Sequence, residues 1–213
     1  MTKNNPTSIA ILGFGKLGTV LAQLARRAGH EVFVSGSGDP SQIGLSVSVI
    51  APGAIALEAS DAISKADLVI LALPLSKYKS LNPAWFKNKL VIDAMNYWWE
   101  VDGDEAALLG DHASSSELIQ AYLSSARIVK ALSHMGYHHL LDEAKPHGDP
   151  HRKAIAVAGN SKADREAVAL LVDSLGFEPL DIGSLSHGKY LEPGHPAFGA
   201  HLPLAELKKV IST

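Results

Sequence analysis

The stretch Ile9-Ala10-Ile11-Leu12-Gly13-Phe14-Gly15-Lys16-Leu17-Gly18 decides how the rest of the chain is read. Four apolar residues without polar alternation read as a strand buried on both faces, the habit of a parallel sheet. Glycines follow at once. From residue 16 to 28, Leu17, Val20, Leu21 and Leu24 recur at helical spacing, and Gly29 sits where a helix commonly stops in a left-handed turn. A GxGxxG sextet alone is a weak signal. Set between a strand and a helix, it becomes a dinucleotide-binding turn: Gly13 permits the bend, Gly15 lets the backbone approach a pyrophosphate, and Gly18 lets helix pack on strand. The amides from Phe14 to Leu17 then face the anion, with the positive end of the helix dipole behind them. The competing account is a glycine-rich turn without a ligand; motif, period and flanking elements together favour dinucleotide binding.

Working outward, apolar β-rich runs alternate with helical patterns over most of the 213 residues, the signature of an α/β fold with crossover helices. Strands are expected at Glu31–Ser35, 54–57, 68–73, 90–94, 127–132, 153–158 and 178–182. Helices are expected over Pro40–Ile50, after Ser114 with Glu117 as its capping partner, and after Ser161 with Asp164 in the same arrangement. In the last of these, Val168, Leu171, Val172 and Leu175 mark one buried face, and Gly176 closes it. The expectation is a single Rossmann-type, doubly wound, mostly parallel sheet spanning 8–213. Residues 1–7 read as a flexible start, and 183–213 as an ordered tail that packs on the sheet or on a partner subunit.

Composition narrows the function classes. With 19 Lys and Arg against 22 Asp and Glu, the net charge of -3 offers no basic excess for nucleic acid or an anionic membrane. There is no Cys, which removes disulfides, thiolate metal sites and thiol catalysis. The longest apolar run, 66–75, is about half of the roughly 20 residues a membrane-spanning helix needs. A cytoplasmic protein without nucleic-acid or membrane partners is expected.

The choice of dinucleotide rests on the end of the second strand, where NAD-selective proteins place an acid about 20 residues beyond the motif to hold the ribose hydroxyls. That slot falls near Gly36 in Ser35-Gly36-Ser37, and it holds no carboxylate. A 2′-phosphate meets no repulsion there and can accept hydrogen bonds from Ser35, Ser37 and the glycine-rich backbone, so NADP is favoured over NAD. No Arg follows Ser35. Lys16 is an alternative source of positive charge, and Asp39 an alternative ribose ligand.

The sequence resembles the NADPH-dependent reductases of the deazaflavin coenzyme F420 type, and also the cytosolic domain of the STEAP metalloreductases. The likeness is carried by GFGKLG at 13–18, the serine loop at 35–37, LALP at 71–74, VIDAMN at 91–96, SSSE at 114–117, RIVKAL at 127–132 and KYLEPGHP at 189–196. It implies NADP lying over the carboxyl ends of the strands while a flavin-like or deazaflavin acceptor stacks on the nicotinamide. Leu73 and Pro74 would flank the cofactor, Asn96 with 132–135 would surround nicotinamide and acceptor, and a homodimer would form through the tail. The family's Ser-Arg pair is Gly36-Ser37 here, and the bulky Tyr97-Trp98-Trp99 would reshape the acceptor pocket.

Hydride transfer between two bound rings demands proximity and orientation more than a side-chain acid or base, so the lack of an evident catalytic dyad does not exclude an enzyme. His134, after a strand end, is the candidate for proton delivery, set against a plain loop histidine. His134, His138, His139, His147 and His151 tempt a zinc reading, but no HExxH spacing or carboxylate accompanies them, and no metal is expected. Tyr97 to Trp99 either stack on a planar ring or plug an edge or interface. The leading function is therefore an NADPH-dependent oxidoreductase acting on a small-molecule redox acceptor. The alternatives are a non-catalytic NADP sensor, in which those aromatics block the acceptor site, and a small hydroxyacid dehydrogenase or imine reductase. Only about 30 residues follow the last expected strand, too few for the separate helical domain of the last two.

Overall fold

The computed structural model describes residues 7–212; the start, 1–6, and Thr213 lie outside the described residues. Its order is β1 (Ser8–Leu12), α1 (Lys16–Arg27), β2 (Glu31–Ser35), α2 (Pro40–Ile50), β3 (Ile55–Ala56), α3 (Ala59–Lys65), β4 (Leu68–Leu71) and β5 (Leu90–Asp93). There follow α4 (Trp99–Asp102), α5 (Glu105–Leu109), α6 (Ser115–Tyr122), β6 (Arg127–Lys130), α7 (Tyr137–Asp142), β7 (Ala154–Gly159), α8 (Lys162–Ser174), β8 (Glu178–Asp181) and α9 (Leu204–Ile211). The eight strands lie in the order β3-β2-β1-β4-β5-β6-β7-β8. The chain reverses its direction of winding between β1 and β4, where α/β sheets gather ligands.

Side chains of β1 alternate across the sheet. Ile9 and Ile11 join Val20, Leu21 and Leu24 of α1 and Val168 and Val172 of α8 on one face. Ala10 and Leu12 join Ala62 and Ile63 of α3 and Leu118 and Ile119 of α6 on the other. A sheet apolar on both faces requires a helix layer on each side, which is why β1, β4 and β5 carry no alternating pattern. The C-terminal segment packs Leu191, Ala197 and Leu207 of α9 against Ala154 and Ala156 of β7.

Two expectations need correction. First, β4 stops at Leu71 and β6 at Lys130, shorter than the apolar runs suggest. After β4 the chain turns into a 3-10 segment that Pro74 precedes; after β6, Leu132 takes a φ of 62°, which no strand continues through. Second, β7 does not continue the parallel βαβ pattern, because it pairs antiparallel to β6 through Val129–Gly159 and Lys130–Ala158. The linker from β6 carries the short helix α7, packed against α1, and keeps the chain at the carboxyl edge. From there β7 must run backwards, so its first residues, from Ala154, overhang the end of β6. β8 then pairs parallel to β7.

Candidate functional site

The glycine turn has the shape its chemistry requires. Gly13 has a φ of 107°, and a Cβ there would lie 2.3 Å from the Ala72 carbonyl oxygen of the neighbouring crossover. A Cβ on Gly18 would lie 1.8 Å from the Gly13 oxygen, so only glycine lets α1 start so close to β1. At Gly15 the same construction meets nothing within 4 Å. Gly15 is the N-cap of α1 and supplies no side-chain cap, and the first turn contains no acid. The leading amides of α1 are therefore left to solvent or an anion. The Gly13 N–H donates to the Ser35 oxygen at 2.8 Å, tying the turn to the end of β2.

A cavity of about 620 Å³ opens from Gly15, Lys16 and Leu17 across the carboxyl ends of β1, β4, β5 and β6. Of the expected site residues, Gly15, Lys16, Leu17, Leu73, Pro74, Asn96 and His134 line it, whereas Gly13, Phe14, Gly18 and the Ser35-Gly36-Ser37 loop do not. Sequence reasoning missed several walls: Tyr137 and His138 from α7, Val101 and Asp102 from α4, and Phe198 and Gly199 from the tail. Trp98 meets Phe198 edge to face at 5.7 Å between ring centroids, and Lys16 Nζ lies 5.6 Å from the Tyr137 ring centre. The three aromatics at 97–99 part company. Trp98 lines the cavity, Tyr97 donates from its hydroxyl to the Gly103 oxygen, and Trp99 is largely exposed.

Asn96 donates from Nδ2 to the Ser133 oxygen at 2.5 Å, while its Oδ1, the Ser133 hydroxyl and His134 Nδ1 are buried without a hydrogen-bond partner in the structure. His134 is fully buried, and its Nε2 accepts the Ala156 N–H at 3.1 Å. That amide belongs to the overhanging start of β7, beyond the reach of the β6 ladder, and the imidazole takes the place of the missing strand. Burial depresses the His134 pKa to about 4, although nearby carbonyls of Ala197 and Ala200 oppose the shift. The ring is thus neutral near pH 7, with Nε2 committed as an acceptor. Its backbone oxygen accepts the Gly199 N–H at 2.7 Å, holding the tail against the cavity.

Behind the cavity lies a polar cluster that joins four of the motifs on which the resemblance rests. Lys130, fully buried at the end of β6, donates to the Met95 oxygen at 2.5 Å, to Ser115 Oγ at 3.3 Å and to Asp93 Oδ2 at 3.4 Å. Asp93 Oδ2 also accepts the Ser116 hydroxyl at 2.6 Å, and Asp93 Oδ1 accepts the Met95 N–H at 3.0 Å. Glu192 accepts both the amide and the hydroxyl of Ser115, at 2.8 and 2.6 Å. Ser114 caps α6 by accepting the Glu117 N–H. VIDAMN, SSSE, RIVKAL and KYLEPGHP thus meet in one network that fixes the loop carrying Met95 and Asn96.

In the loop after β2, Asp39 is already engaged. It caps α2 by accepting the Ser41 N–H at 2.7 Å, and these bonds to Ser41 hold its carboxyl below the usual range. A Cβ on Gly36 would sit 3.1 Å from the Ile43 side chain. Lys16, drawn to Tyr137, is on the cavity side of the turn. The histidines expected from the sequence are spread apart: His139 lies tilted against His201 at 4.0 Å between ring centroids and edge to face with His138 at 4.5 Å, while His147 bonds to Asp173. Among the described residues no group of three or more His, Asp or Glu is arranged to hold a metal ion, and no helix is long and apolar enough to cross a membrane.

These features define a Rossmann-type nucleotide-binding protein. Residues 8–97 match the model of the family described as NADP oxidoreductase, coenzyme F420-dependent. The match covers less than half of the 213 residues and takes in four of the motifs that carry the resemblance, those at 13–18, 35–37, 71–74 and 91–96. A hypothetical protein of Sinorhizobium meliloti shares the fold at a TM-score of 0.78 and 27% identity, covering 92% of this chain and 95% of its own. A protein of Arthrobacter sp. FB24, named as a candidate F420-dependent NADP reductase, aligns at a TM-score of 0.71 and 24% identity over 86% of this chain and 87% of its own. The 3-hydroxyisobutyrate dehydrogenase of Mycobacterium tuberculosis shares the fold at 0.63 and 16% identity, over 87% of this chain but 57% of its own.

Proposed function

We propose that the protein transfers a hydride between NADP(H) and a flavin- or deazaflavin-like ring held in the same cavity. The observation that carries this reading is the Gly15 cradle: a backbone face with room for a phosphate, opening directly into a cavity across the sheet's switch point. Gly13 to Gly18 would hold the diphosphate, and Ser35, Gly36 and Ser37 the adenosine ribose with its 2′-phosphate. Leu73, Pro74 and Asn96 would flank the nicotinamide. The unpartnered Asn96 oxygen and Ser133 hydroxyl suit a carboxamide, which offers both donors and an acceptor.

In the reducing direction NADPH gives up a hydride, two electrons and one proton, and a solvent proton completes the two-electron, two-proton reduction of the acceptor ring. The chain's task is to orient the rings and exclude water. His134 takes part as a positioning residue, since it is neutral and bonded to the backbone. The sensor alternative needs the aromatic wall to fill the acceptor space; a cavity that stays open beside Trp98 favours turnover. The family likeness also supports a homodimer through the tail.

Titration with NADPH and NADH, followed by NADPH oxidation offered FMN, FAD, riboflavin and a deazaflavin, tests the proposal. Tighter NADPH binding and turnover with at least one ring are expected. Tighter NADH binding would refute the Gly36 argument, and tight NADPH binding without any turnover would transfer the protein to the sensor class.

A further inference from the structure

The consecutive aromatics Tyr97, Trp98 and Trp99 meet three different surroundings. Tyr97 packs against the core cluster around Ala10 and Leu12 and donates its hydroxyl to the Gly103 oxygen, whereas Trp99 lies outside the cavity wall. Trp98 lines the cavity two residues past Asn96, and 51% of it stays uncovered. Large apolar side chains left open in a concave site mark a place for a ligand. The residue is also held still. Its N–H donates to Asp102 Oδ2 at 2.9 Å, and its carbonyl accepts the Val101 and Asp102 amides at 2.9 and 2.7 Å. Asp102 Oδ1 accepts the Ser76 N–H at 2.8 Å, which ties this turn to the segment behind Pro74. From the tail, Phe198 meets the indole edge to face, and the Phe198 and Gly199 amides donate to the His195 and His134 oxygens at 2.9 and 2.7 Å. A half-covered aromatic on a braced backbone is a stacking surface already ordered before a ligand arrives.

We propose that Trp98, braced by Phe198, is the specificity-determining residue of the acceptor half: the face on which a fused planar redox ring stacks beside the nicotinamide. The inference rests on the function proposed above. Of the other apolar walls, Val101 is aliphatic, and Tyr137 lies under the Lys16 ammonium beside the glycine turn. An aromatic that plugged an edge would be covered by its own chain, and Trp98 is not. Stacking depends on the ring and not on its tail, so riboflavin, FMN, FAD and a deazaflavin should respond alike to changes at this position.

Steady-state NADPH oxidation with these four rings, combined with fluorescence titration of NADPH, tests the assignment. Trp98→Leu keeps an apolar side chain but removes the flat face; KM for the ring should rise roughly tenfold with kcat within about threefold, the mark of lost binding. NADPH affinity should stay within about twofold, which also shows that the site has folded. Trp98→Phe should bring KM back to within about threefold of the parent, and Trp99→Leu should leave it within about twofold. Phe198→Leu, which removes the brace, should raise KM in the same direction as Trp98→Leu. A Trp98→Leu protein with the parental KM, or a Trp98→Phe protein as impaired as Trp98→Leu, overturns this inference alone. A parent protein that binds NADPH and turns over none of the four rings overturns the function itself, and the inference with it.

Discussion

Replacing Gly15 with Ala separates a ligand-binding glycine from a structural one. The backbone at Gly15, φ -82° and ψ -163°, is open to any residue, and the added methyl meets nothing within 4 Å. Folding should therefore tolerate the change. A less flexible unfolded chain favours Ala by about 0.4–1 kcal/mol, whereas an Ala N-cap is worse than Gly by a similar amount. The net stability change should stay within about 1 kcal/mol, a Tm shift of no more than about 4 °C for a chain of this size. Binding should not tolerate it. The methyl projects into the volume a diphosphate must enter to reach the α1 amides, and loss of one hydrogen bond to a charged group costs about 1.5–3 kcal/mol. NADPH affinity should fall roughly 10- to 150-fold. Gly18→Ala is the counterpart: its Cβ would fall 1.8 Å from a backbone oxygen, so it should lose stability before binding can be measured. Thermal melting with fluorescence titration of NADPH reads both quantities. A Gly15→Ala protein with parental Tm and parental NADPH affinity would refute the assignment of the turn to the diphosphate.

Other outcomes follow from the same geometry. Ser37→Asp places a carboxylate on the exposed loop after β2, and NADPH should weaken at least about tenfold while NADH stays within about threefold; competitive titration of the two nucleotides decides it. His134, with its folded pKa near 4 against 6.5 when unfolded, binds fewer protons folded than unfolded across that range. Its contribution is intact above pH 6.5 and lost as pH falls toward 4, by about 3 kcal/mol in total. His134→Gln can keep an acceptor for the Ala156 amide without titrating, so denaturation midpoints followed from pH 7 to pH 4.5 should fall less steeply in that variant; equal slopes would contradict the assignment. Lys130→Met leaves Asp93 buried without its cation, which should cost about 3–5 kcal/mol. Adding Asp93→Asn should recover part of that loss in chemical denaturation, and no recovery would mean that the pair is not coupled.

What could be read from the sequence is what short-range chemistry fixes. GxGxxG, the uninterrupted apolar strands, and the Ser114 and Ser161 caps are local, and these elements form where their residues place them, although β4 and β6 each end two residues before the run that announces them. The walls of the cavity are not local. Strand direction leaves no mark in the composition of 153–158; it depends on the linker after Lys130, and the antiparallel β7 then creates the orphan Ala156 amide that His134 satisfies. A histidine after a strand end reads as a candidate proton donor until the edge it closes is known. RIVKAL likewise reads only as a strand, and KYLEPGHP as part of an ordered tail whose packing partner is left open between the sheet and a second subunit. Only in three dimensions do Lys130 and Glu192 meet through Ser115, so that a buried charge supports the loop of Asn96 and the tail that carries Phe198. The cost of burying Lys130 is tolerable because Asp93, Met95 and Ser115 surround its ammonium with acceptors. An apolar residue would serve the core as well, but it could not hold the Met95 carbonyl in place, and that requirement ties the motif to the site.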